Sequence, residues 1–199
     1  MASAGFDLQK FIADSIKTVV APKSYFSGMA KSGGFVEPII KAAIYGILSG
    51  VISFLWLKLG LGIGGGMLGA GTGITTLVTT VIGALIGLFI GGAIVLIFSL
   101  ISGGTTDYEA NVRAMAAMMV LMPVSSLLGF TYGINLYLGV VIGLVVNFYG
   151  LWLLLNALIS GLSGKAMTAQ ILVGVLALLS IAGGLYSYKA MKALMSLGS

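Results

Sequence analysis

The sequence predicts an all-α membrane bundle of five transmembrane helices, preceded by an amphipathic helix lying on the membrane. Three observations carry this. Five apolar runs fill the chain after residue 37, and each can cross a bilayer, which takes ~20 apolar residues in a helix. Apolar residues make up 59% of the chain and charged residues only 8%, where a soluble domain carries roughly 25% charged. Glycine is abundant, at 31 of 199 residues, and glycine is commoner in transmembrane helices than in soluble ones.

The segment 1–37 reads as a cytoplasmic, interfacial region. Asp7, Lys10, Asp14 and Lys17 interrupt it, so it lacks the apolar core of a cleavable signal peptide. Leu8, Phe11, Ile12, Ile16, Val19 and Val20 recur at helical spacing. Lys10 and Lys17 fall on the polar side, suited to anionic headgroups. This helix either lies in the interface or docks on the protein's own bundle. Ala21-Pro22 ends it, because the residue before proline disfavours the helical region.

The five-span domain covers 38–190. Its spans are predicted at Pro38–Leu59, Ile74–Ile101, Val112–Phe130, Leu136–Ile159 and Ala169–Tyr188. A glycine-rich connector, GLGIGGGMLGAGTG, separates the first two. It has no phosphate-loop lysine and no preceding strand, so it is not a nucleotide loop. A tight turn, TYGIN, separates the third and fourth. Pro123 should bend the third span, with Met115, Met118, Met119 and Met122 filling the uneven space. Residues 191–199 form a short tail.

Lys10, Lys17, Lys23, Lys31 and Lys41 cluster at the N-terminal side, which Arg113 and Lys165 share. Lys58, Lys189 and Lys192 lie opposite. The bias places the N-terminus in the cytoplasm and the C-terminus outside, as in a bacterial inner membrane.

Small residues repeat every four positions at Gly46 and Gly50, at Gly83, Gly87 and Gly91, and at Gly139 and Gly143. Such spacing lines one helix face and lets two backbones approach. It serves either packing within the chain or a homodimer seam.

Glu37 and Lys41 are four apart in the favourable helical order, and Glu37 precedes Pro38, a good first helical residue. Thr106 or Asp107 can cap the third span, with Asp107 and Glu109 at its positive end and Arg113 one turn beyond Glu109. Glu37, Lys41, Asp107, Glu109 and Arg113 are therefore the candidate polar cluster, at the cytoplasmic face. Bland capping and ion pairing account for the same residues. Asn147 and Asn156 are the intramembrane polar pair. Nine residues apart, they point in opposite directions, each suited to bonding a neighbouring helix.

No acidic residue sits deep in a span, which weakens a pump or coupled transporter. The chain has no cysteine and no histidine, hence no disulfide and neither of the commonest soft metal ligands. No catalytic, metal or cofactor site is expected, and no nucleic-acid partner. Membrane lipids are the expected partners, with protein partners or a second copy beside them. A non-enzymatic membrane organiser is the leading function. A small channel or transporter lined by Asn147 or Asn156 is the alternative.

Three stretches resemble the Yip-domain family of Ypt/Rab-interacting membrane proteins. VVAPKSYFSGMAKSGGFVEPIIKAAIYG matches the family's approach to the first span at Pro22, Phe26 and Pro38. SGGTTDYEANVRAMAAMMVLMP is similar to its glycine-plus-acidic loop and small-residue span ending near proline. NFYGLWLLLNALISGLSGKA resembles its fourth span and short exit. The resemblance covers roughly residues 18–190 and implies five spans with a cytoplasmic N-terminus. Eukaryotic members carry Asp-Leu-Tyr-Gly-Pro where this chain has Phe35-Val36-Glu37-Pro38. They also have a longer N-terminal region, so the resemblance does not carry Rab binding here. The short N-terminal segment looks like the bacterial branch.

Overall fold

The computed structural model describes residues 7–61 and 73–197, with side chains placed as far as Ala193. The glycine-rich connector lies largely outside the described residues. Nine α-helices occur in the described chain: α1 (Leu8–Val20), α2 (Pro22–Ser27), α3 (Val36–Lys58), α4 (Gly73–Ile101), α5 (Tyr108–Met118), α6 (Leu121–Leu128), α7 (Thr131–Ile134), α8 (Leu136–Asn156) and α9 (Ala166–Leu197). Five stretches are long and apolar enough to cross a membrane: Val36–Lys58, Ile74–Ile101, Tyr108–Ile134, Leu136–Gly161 and Ala166–Ala193. The helical bundle expected from the sequence is the fold observed.

α3 and α4 form the most extensive helix pair, α5 packs on α4, and α9 leans chiefly on α8. The outward surface is apolar, as a lipid-facing surface must be. Ile82, Ile86, Ile90, Ile94, Ile97 and Ile101 form an exposed stripe along α4.

Several element boundaries differ from the sequence reading, each for a local reason. The third span begins at Tyr108 rather than Val112, directly after its cap Asp107. It also breaks at Met119–Val120, one turn before Pro123. Proline has no N–H to bond the Met119 carbonyl. The chain there tightens into shorter bonds, Val120 N–H to Ala117 O at 3.2 Å and Met122 N–H to Met119 O at 2.9 Å. Residues Thr131–Ile134 of the supposed TYGIN turn are helical. The reversal falls at extended Asn135, whose side chain accepts from the Leu138 N–H at 3.1 Å and caps α8. α8 runs into a π-helical turn, Ala157–Gly161. α9 continues to Leu197, so most of the supposed tail is helix; Lys189-Ala-Met-Lys-Ala-Leu contains no breaker. α2 is too short for periodicity to reveal. α3 starts at Val36, which puts Pro38 third in its first turn rather than first.

The glycine repeats divide. Gly46 and Gly50 press on α4: a Cβ on Gly46 would lie 2.9 Å from Ala84 Cβ, and one on Gly50 3.2 Å from Leu77 Cα. Gly91 meets Met115, while Gly139 and Gly143 meet Tyr132. Among the described residues Gly83 and Gly87 pack against nothing, since a Cβ on either would meet no atom within 4 Å. They line an apolar groove of about 450 Å³ between α4, the third span and α8.

Candidate functional site

The site forms where α1 and α2 cover the first turn of α3 and the start of α5. α1 is capped by Asp7, whose side chain accepts from the Lys10 N–H at 3.0 Å. It ends at Val20, and Pro22 opens α2. One face of α1 is docked. The Phe11 ring lies 5.2 Å from that of Tyr45, centroid to centroid. Ser15 donates to the Phe11 carbonyl at 2.7 Å, and its oxygen is 2.7 Å from the Tyr45 hydroxyl. Thr18 is buried, and the Tyr149 hydroxyl donates to the Val19 carbonyl. A second face carries exposed Leu8, Ile12, Ile16 and Val20. Lys10 and Lys17 occupy a third, exposed face. One face of this helix therefore docks on the protein's own bundle, as one of the two sequence alternatives expected, while another leaves its apolar residues uncovered.

Beneath α1, Arg113 uses its guanidinium fork three ways. Nε donates to Glu109 Oε1 at 3.0 Å, Nη1 to Glu37 Oε2 at 3.0 Å and Nη2 to the Gly34 carbonyl at 2.8 Å. Glu109 Oε1 also accepts from the Gly34 N–H at 2.7 Å. The planar fork of arginine suits such divided contacts. Glu37 uses its other oxygen on Lys41, at 2.9 Å. Lys41 Nζ lies 3.7 Å from Asp14 and donates to the Tyr25 hydroxyl at 3.4 Å. Both cations are nearly buried, Arg113 at 6% and Lys41 at 9% side-chain exposure, so their carboxylate partners are required. Burial pushes the Tyr25 phenol above its ordinary range, while the Lys41 charge pulls the other way. Tyr25 therefore stays a neutral hydroxyl at physiological pH.

Glu37, Lys41, Glu109 and Arg113 are brought together. Asp107 stands apart from these ion pairs and caps α5 instead, accepting from the Glu109 N–H at 2.9 Å. This is the capping role the sequence offered for it, and its place among the ion pairs is corrected accordingly. Sequence reasoning missed Asp14, Tyr25, Gly33 and Gly34. The glycine pair was detectable as an SGGF break before the first span. Gly33 has φ +129°, and a Cβ there would stand 2.8 Å from Arg113 Nη2.

Neither asparagine bonds a neighbouring helix among the described residues, contrary to expectation. Asn156 donates to the Trp152 carbonyl of its own helix at 2.8 Å. Asn147 lines the apolar groove. No group of three or more His, Cys, Asp or Glu that could hold a metal occurs among the described residues.

The fold and this corner define a class: a polytopic helical membrane protein with a short N-terminal helix strapped across one end of its bundle. A family model, the Yip1 domain, matches residues 16–187. The chain belongs to the Yip1 domain family, as its order of motifs implied. No curated protein and no solved structure matched the chain.

Proposed function

We propose that this chain is a non-enzymatic membrane organiser, with α1 and the polar corner at the cytoplasmic face of a bacterial inner membrane. There it acts on lipid and on protein partners. The observation that supports it most is the three-sided use of α1: one face docked, one apolar and uncovered, one basic. A helix of that kind sits sideways in the interface, its apolar face at the acyl boundary and its lysines among headgroups. Placing the N-terminus in the cytoplasm follows from the lysine bias. Arg113 and Lys41 are saturated by carboxylates of the fold, which suits a structural clamp better than acid–base chemistry. The channel alternative draws no support from Asn156, whose amide is spent within its own helix.

The test reconstitutes the full-length protein in anionic liposomes and measures vesicle size and clustering against empty liposomes. The organiser reading expects a change that Ile12→Glu/Ile16→Glu removes while the bundle stays folded. Solute flux, with vesicle size and clustering unaltered, would instead favour the channel.

A further inference from the structure

We propose that the cavity beneath α1 binds the phosphate of an anionic headgroup. The cavity measures about 150 Å³, roughly five water volumes, which suits a small charged group rather than a folded peptide. Its charged lining comprises Lys10, Lys17, Lys41 and Arg113 against Asp14 and Glu37. That is four cations facing two carboxylates. Counting Glu109, held by Arg113 just outside the lining, still leaves one positive charge in excess.

The two halves of the cation set do different work. Lys41 and Arg113 form the inner wall and are committed to Glu37, Asp14, Glu109 and the Gly34 carbonyl. Lys10 and Lys17 stand two turns apart on the same side of α1, exposed, with no ion-pair partner among the described residues. They hold nothing in the fold together, so their charge is free for a ligand. A recessed site with an excess of one sign concentrates counter-ions, and phosphate oxygens accept strong charge-assisted bonds from ammonium groups.

The neighbouring apolar face of α1 favours a lipid as the source. If Leu8, Ile12, Ile16 and Val20 rest at the acyl boundary, the adjoining cavity opens at headgroup depth. This step rests on the interfacial placement proposed above, but not on the protein's organising vesicles or partners.

The experiment uses full-length protein in non-ionic detergent and follows its thermal midpoint. Dioctanoyl phosphatidylglycerol, dioctanoyl phosphatidylcholine, glycerol phosphate and inorganic phosphate are titrated separately. Phosphatidylglycerol should raise the midpoint, and Lys10→Gln/Lys17→Gln should raise its half-maximal concentration about tenfold. The charge-matched control Lys23→Gln/Lys58→Gln should leave that concentration unchanged. An equal response to phosphatidylcholine, or an unchanged response in Lys10→Gln/Lys17→Gln, overturns the proposal. A response to glycerol phosphate or inorganic phosphate at the same concentrations, equally weakened by Lys10→Gln/Lys17→Gln, upholds the phosphate site with a soluble source. If liposomes are unaffected by the protein yet this lipid response holds, the organiser reading fails alone.

Discussion

Arg113 Nη1 meets Glu37 Oε2 at 3.0 Å, joining the second turn of α5 to the first turn of α3 across 76 positions of sequence. The pair fixes the corner on which α1 rests, because Glu37 also holds Lys41, and Lys41 reaches Asp14 of α1. Glu37→Gln leaves two nearly buried cations short of charge compensation. Glu37 itself is 40% exposed, so solvent screens part of the loss. The expected cost is about 1–2 kcal/mol, read as a lower thermal midpoint in detergent. Arg113→Lys should also lower the midpoint, since an ammonium cannot serve Glu37, Glu109 and the Gly34 carbonyl in one plane. A midpoint unchanged in both variants would count against the clamp.

Gly33 is predicted to be intolerant of alanine, and more so than Gly34. Both have left-handed backbones, at φ +129° and +82°. Only at Gly33 would the new Cβ also press on Arg113, while at Gly34 it meets nothing within 4 Å. Gly33→Ala should cost about 1–3 kcal/mol and Gly34→Ala less. Equal losses would show that backbone strain alone decides.

Gly46 and Gly87 separate packing inside the chain from open groove. Gly46→Ala places a methyl 2.9 Å from Ala84 Cβ and 3.2 Å from Val81 Cα, which is backbone and cannot swing aside. It should destabilise by about 1–3 kcal/mol. Gly87→Ala meets no atom, and alanine is the better helix former by roughly 0.8–1 kcal/mol. Its midpoint should hold or rise. A large loss at Gly87 in the monomer would place an unseen neighbour in the groove.

Spacing made part of the site legible. Glu37–Lys41 and Glu109–Arg113 are each four apart, and both pairs close as ion pairs. That the two pairs meet was an expectation from their shared membrane boundary. Asp14, Tyr25 and Gly34 could not be added to them, since their contacts depend on how α1 and α2 fold back over α3. Asp107 was expected both as a cap of the third span and as a cluster member; the capping role is the one observed, its carboxylate accepting from the Glu109 N–H. The spans were legible from apolar length. Their ends were less so, because a helix runs on wherever no breaker intervenes, as in α9.

The topology proposed from the lysine bias is directly checkable, since the chain has no cysteine of its own. In intact spheroplasts, an impermeant maleimide should label Lys192→Cys and spare Lys23→Cys. Inverted vesicles should show the reverse. Labelling of Lys23→Cys alone from outside would invert the proposed orientation.

The placement of α1 is the centre of this account, and site-directed spin labelling measures it most directly. Single cysteines at Ile12, Ile16, Lys10 and Lys17 are labelled in the full-length protein in anionic liposomes. Collision with oxygen, concentrated in lipid, is compared with collision with a water-soluble nickel chelate. Labels at Ile12 and Ile16 should favour oxygen, and labels at Lys10 and Lys17 the chelate, the 100° step of a helix showing as an alternation along α1. Chelate-dominated collision at all four positions would lift α1 out of the membrane surface and contradict the account.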